Sequence, residues 1–146
     1  MKYSSHRIRS RLWLTLALAV ASHALLAATP APAGAEVYFI SPLNGAHVKG
    51  KLTVRFGLRG MGVAPAGVAA PDSGHHHLLV NADPMPDLTK PLPVSDMVRH
   101  FGKGQTETEL ELAPGVYKLQ LLLGDSLHVP HSPPVMSGTI TVTIDP

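Results

Sequence analysis

Residues 52–58 read LTVRFGL, so Val54, Phe56 and Leu58 fall on one side of an extended chain, with polar or small residues between them. Apolar residues at every second position mark a strand that buries one face. The same period returns in TITVTI, residues 139–144, with Ile140, Val142 and Ile144 inward and threonines outward. Four more segments have strand character: EVYFIS (36–41), residues 76–81, TETELEL (106–112) and residues 116–124. Pro42-Leu43-Asn44-Gly45 and Ala113-Pro114-Gly115 supply turns, because Asn-Gly tolerates positive φ and Pro is pre-set for the first turn position. No stretch carries a convincing helical period, and there is no internal repeat. The pattern predicts an all-β domain, an antiparallel sandwich with one face of each sheet solvated. Within it, 106–112 and 116–124 are expected to pair as a hairpin.

The start of the chain has a different character. Arg7, Arg9 and Arg11 precede an apolar run from Leu12 to Ala28, and small residues follow at Ala31-Pro32-Ala33-Gly34-Ala35. A basic start, a short apolar stretch and small residues at a cleavage point are the features of an export signal. Cleavage after Ala27, Ala33 or Ala35 fits, giving a leader with a short linker over 1–35 and one domain over 36–146. The chain has 12 Lys and Arg against 10 Asp and Glu, but Lys2, Arg7, Arg9 and Arg11 leave with the leader. The domain is therefore slightly acidic, which removes the electrostatic basis for a nucleic-acid partner. No stable membrane span is expected after processing, and the destination is the periplasm or the exterior. A domain of this size can hold a single core. With no Cys in the chain, disulfides, Cys-based zinc modules and thiol nucleophiles are excluded.

VYFISPLNGAHV, FGLRGMGVAPAG, SGHHHLLV, HFGKGQTETELEL, LQLLLGDSLHVPHSPPV and TITVTI together resemble domain-of-unknown-function family 4399 (DUF4399), found in exported bacterial proteins. ISPLNGAHV also resembles the first hairpin of bacterial immunoglobulin-like domains. The resemblance implies an exported immunoglobulin-like sandwich and carries no established activity. Members of the family often have a further His just upstream of the His-Phe-Gly element. Met97, Val98 and Arg99 stand there in this chain, so a ligand set carried over is one imidazole short.

Six of the nine histidines fall in three clusters: His75-His76-His77, His100, and His128 with His131. In an immunoglobulin-like sandwich the B–C and F–G loops share one end. With the six predicted strands taken as A, B, C, E, F and G, His75 to His77 begin C, and His128 and His131 lie in the F–G loop. His100 precedes E, and an E–F hairpin sets it beside the end of F. The three clusters then meet at one rim, with His47 in the A–B turn at the other end. Alternation turns His75 and His77 to one side, and His76 to the other with Leu78 and Val80. The candidate metal ligands are His75, His76, His77, His100, His128 and His131. The expected inner set is His75 or His77 with some of His100, His128 and His131, while His76 is open to a core or supporting role. Asp125 has two readings, a carboxylate orienting a ligating imidazole or an Asx turn closing the strand.

Imidazole is the commonest protein ligand for metals, and all-nitrogen sites suit copper and zinc, with copper the tighter binder. Met61 and Met136 are placed near the same rim. The expected cofactor is a copper ion, with zinc as the alternative, and the expected role is storage, delivery or buffering of metal. Two other readings stay open. One is a metal-free module that binds an envelope protein; the other is an oxidoreductase similar in architecture to copper/zinc superoxide dismutases. Gly102-Lys103-Gly104-Gln105-Thr106 lacks the glycine spacing of a phosphate loop, and no Ser sits in a G-x-S-x-G elbow.

Overall fold

The computed structural model describes residues 28–146. The predicted leader lies almost wholly outside these residues. Among those described there is no helix, and so none long and apolar enough to cross a membrane. Nine strands follow in order: β1 (Glu36–Ser41), β2 (Ala46–Lys49), β3 (Leu52–Arg59), β4 (Gly62–Val63), β5 (Ser73–Val80), β6 (Val98–His100), β7 (Glu107–Leu110), β8 (Gly115–Gly124) and β9 (Ile140–Asp145). They make two sheets. The smaller runs β1-β3-β7, and the larger runs β2-β9-β8-β5, with β4 and β6 both paired to β5. All six predicted strands are present, and β2, β4 and β6 are additional.

The inward residues predicted from alternation form the layer between the sheets. Val37, Leu52, Val54 and Phe56 of the small sheet meet Leu78, Val80, Leu119, Leu121, Leu123, Val142 and Ile144 of the large one. Full burial of each such side chain stabilises by roughly 1.5–3 kcal/mol. The larger sheet is unusual in being covered on its outer face too. Leu79, Leu92, Val98 and Leu122 form a second apolar cluster there, beneath the long segment between β5 and β6. Residues 74–80 are consequently buried without interruption, as expected for a strand covered on both sides.

One expectation is overturned. Segments 106–112 and 116–124 do not form a hairpin. β7 pairs with β3 in the small sheet, whereas β8 pairs with β5 and β9 in the large one, so Ala113-Pro114-Gly115 carries the chain across the sandwich. Exposed charges match across the β3–β7 pair. Glu107 lies opposite Arg55 on β3 with an ion pair of 3.0 Å, and Lys51 reaches Glu111 at 3.0 Å. The glutamates form an exposed ladder, but one matched by cations on β3. The Pro42–Gly45 turn makes a comparable crossing. Gly45 donates to the Thr141 carbonyl, Asn44 Oδ1 accepts from Thr141 N, and β2 then runs parallel to β9.

Candidate metal centre

On β5, His75, His77 and Leu79 face outward from the sandwich while His76, Leu78 and Val80 face the inter-sheet core. His75 lies opposite Gly124 of β8, and His77 is flanked by Leu122 of β8 and His100 of β6. The sequence argument brought His100 to this rim through a hairpin that does not exist. It arrives instead as the last residue of an edge strand paired directly to β5.

His128 comes over the top, from the loop after β8. That loop is organised by Asp125, whose Oδ1 accepts hydrogen bonds from Leu127 N (2.9 Å) and Val129 N (3.0 Å). His128 N donates to the Asp125 carbonyl, and His128 itself is left-handed at φ 68°. Asp125 thus closes an Asx turn and bonds no imidazole, which decides between its two readings. The long connection between β3 and β5 straps the same region. Ala66 N donates to the Gly102 carbonyl, next to the His100 segment, and Gly67 N to the Ser126 carbonyl, both at 2.9 Å.

Four rings meet: His75, His77, His100 and His128. Every pair of centres is close: 4.8 Å for His75–His77, 5.0 Å for His75–His100, 4.9 Å for His75–His128, 5.2 Å for His77–His100, 6.1 Å for His77–His128 and 4.7 Å for His100–His128. One nitrogen each from His75, His100 and His128 lies within 4.8 Å of the others. Both nitrogens of His75 and of His77, with Nε2 of His100, are buried and have no hydrogen-bond partner among the described residues. Unpaired buried polar atoms are costly. The nitrogens of His76 and His131, on the core side, are also buried without a partner among the described residues, so it is the convergence of rings that distinguishes the cluster.

Electrostatics keeps His75, His77 and His100 neutral. Burial, followed by the neighbouring His128 and His100 rings, lowers His75 from 6.5 to about 4. Burial, followed by His75 and the other two rings, takes His77 to about 3. His100 is lowered by burial and by His128. Near neutral pH the lone pairs are therefore available to a cation, the form in which imidazole ligates metals.

The other two candidates lie elsewhere. His76 is fully buried on the core side, its ring centre 5.1 Å from that of Phe56. His131 is also buried, and a Cβ on Gly74 would sit 3.0 Å from its Cε1 and 2.9 Å from Leu123 Cγ. That is the face of β5 shared with His76, turned away from the four-ring cluster. Met61 packs against the inter-sheet core, and Met136 bridges Leu122. His47 stands on β2, exposed and 3.1 Å from Asp145. A cleft on the outer face, about 440 Å³ beyond Leu79, contains none of the histidines.

Two glycines belong to the site and were not singled out from the sequence. A Cβ on Gly124 would come within 2.8 Å of His77 Cε1 and 3.2 Å of its Nδ1, and a Cβ on Gly102 would overlap the His100 ring. Neither has a positive φ. Their lack of a side chain is needed for space, the usual meaning of a glycine where another group approaches closely.

No curated protein and no solved structure matches the chain. A family model described as "Domain of unknown function (DUF4399)" matches residues 54–145. That span runs from β3 through β9 and includes all four clustered histidines together with Gly102 and Gly124. The match extends over more than half of the sequence, and the chain therefore belongs to the DUF4399 family.

Proposed function

We propose that this protein is an exported metal-binding domain that holds one transition-metal ion through His75, His77, His100 and His128. The carrying observation is the four-ring cluster, in which buried nitrogens of His75, His77 and His100 have no hydrogen-bond partner among the described residues. A metal–nitrogen bond of about 2.0–2.1 Å puts each ring centre roughly 3.2 Å from the ion, so tetrahedral ligands have centres about 5.2 Å apart. A square-planar set instead needs two long diagonals of roughly 6.4 Å. The His77–His128 separation is 6.1 Å, but the opposite pair, His75–His100, stands at only 5.0 Å. That flattened tetrahedron favours zinc(II) or copper(I) over copper(II). Binding would draw the rings inward, since the nitrogens of His75, His100 and His128 stand up to 4.8 Å apart, His77 lies outside that nitrogen triad, and a tetrahedral edge is about 3.3 Å.

A bound metal would engage one nitrogen of each ring. The protein supplies the orientation, through β5, β6 and the Asp125 turn. Storage, delivery or buffering of copper or zinc in the periplasm is the role that suits such a site. The sandwich is read as immunoglobulin-like: β1-β3-β7 would be strands A, B and E, and β2-β9-β8-β5 strands A′, G, F and C.

The test is titration of untagged protein with zinc(II) and copper(I), followed by metal analysis and thermal melting. One equivalent should bind. At a free concentration of a hundred times Kd the native state gains about 2.7 kcal/mol, raising Tm by roughly 10 °C. A melting temperature indifferent to both metals would sink the proposal and leave a metal-free envelope module.

A further inference from the structure

Residues 28–35, which the sequence assigns to the leader and its linker, are docked onto the loop that carries His128. Thr29 Oγ1 donates to Asp125 Oδ2 at 2.7 Å. Ser132 N donates to the Thr29 carbonyl at 2.9 Å and Ala31 N to the Ser132 carbonyl at 3.1 Å, with Pro30 and Ser132 forming a parallel β-bridge. Ala31 and Ala35 pack against the inter-sheet core. Gly60, at φ 75°, lets the segment close down on β3, for a Cβ there would stand 3.1 Å from the Gly34 carbonyl oxygen.

The carboxylate of Asp125 makes this contact important. Asp125 is 7% exposed and has no Lys or Arg partner among the described residues. Oδ1 is bonded by two backbone N–H groups of its own turn, and the hydroxyl of Thr29 is the side-chain donor that serves Oδ2. Without it, a buried carboxylate oxygen loses its donor in the turn that orients His128.

We propose that Thr29 is a positioning residue for the metal-binding loop and that residues 29–35 stay in the mature protein. The leader is then removed N-terminal to Thr29. Of the three bonds the sequence offers, only Ala27–Ala28 meets that condition. An export peptidase hydrolyses it, water supplying the hydroxyl of the new Ala27 carboxyl group and the proton of the new Ala28 amine. Cleavage after Ala33 or Ala35 would remove the clamp. The processing claim rests on the export reading, and the positioning claim on the metal reading.

The full-length, untagged chain is expressed in a Gram-negative bacterium, and the periplasmic product is read by intact mass and N-terminal sequencing. A mature chain beginning at Ala28 is expected. One beginning at Gly34 or Glu36 overturns this inference while leaving export intact; an uncut chain outside the periplasm overturns export and the processing claim together. In parallel, Thr29→Val and Thr29→Ser are made in the full-length chain and titrated with zinc(II). Thr29→Val should weaken zinc binding by about ten- to a hundredfold, the usual effect of losing a group that orients ligands, and Thr29→Ser should restore it. Equal affinity of Thr29→Val and wild type overturns the positioning role. Absence of zinc binding in the wild type overturns the metal reading and the positioning role with it, while the processing site is still read from the mass.

Discussion

His75 and His77 owe their convergence to the two-residue period of β5, and His76 owes its separation to the same period. A triple-histidine run is therefore two ligand candidates and one core residue. Substitution should expose the division. His75→Ala, or His128→Ala, is expected to weaken zinc(II) binding at least a hundredfold by titration. His76→Phe, which keeps an aromatic ring against Phe56, and His47→Ala should leave the affinity within about twofold. Gly124→Ala probes the space the cluster needs. Its Cβ would stand 2.8 Å from His77 Cε1, and relief of such overpacking typically costs about 1–3 kcal/mol. The variant should fold, judged by circular dichroism, yet bind zinc at least tenfold more weakly. Unchanged affinity would remove His77 from the ligand set. The histidines could be identified from the sequence because imidazole chemistry is distinctive. Gly102 and Gly124 could not, because an atom left out gives no local signal and the rings they accommodate are distant in the chain.

Strand placement followed from alternation wherever one face is buried, as in β3 and β9. It said less about partners. β7 pairs with β3 rather than β8, and Arg55 and Lys51 meet the glutamates there, a cross-strand match visible only once the two strands are aligned. β6 was harder to see, being only three residues long. Its place is fixed by Val98, which joins Leu79, Leu92 and Leu122 on the outer face. This apolar anchor lies two residues from His100, so stability and ligand placement are coupled in β6. Val98→Ala should destabilise the fold by roughly 1–2 kcal/mol in urea and also weaken zinc binding, measured well below Tm. Leu110→Ala, in the opposite sheet, should cost about 2–5 kcal/mol while leaving the affinity of the folded protein within about twofold. Equal loss of affinity in both would show that the site senses global stability rather than the anchoring of β6.

Across the whole molecule, a sandwich that buries neutral imidazoles on both faces of one strand must respond to acid. Burial is the leading cause that lowers His75 and His76 to about 4 and His77 to about 3, against 6.5 when exposed. Below pH 6.5 the unfolded chain takes up protons that the folded chain refuses. The stability these groups contribute is thus fully present above pH 6.5 and is lost as pH falls toward 4 and then 3. Each group adds up to about 1.4 kcal/mol per pH unit to that slope. The metal-free protein should melt at steadily lower temperature between pH 6.5 and 4. Replacing His76 by Phe removes one of the four lowered histidines from the slope without touching the four-ring cluster, and should flatten the curve. Zinc competes with protons for His75 and His77 but not for His76. The loaded protein should therefore hold its Tm to lower pH than the metal-free protein, and the advantage should vanish abruptly once the metal leaves. Parallel melting curves with and without zinc across this range would mean that the ion is not held by the buried rings of β5.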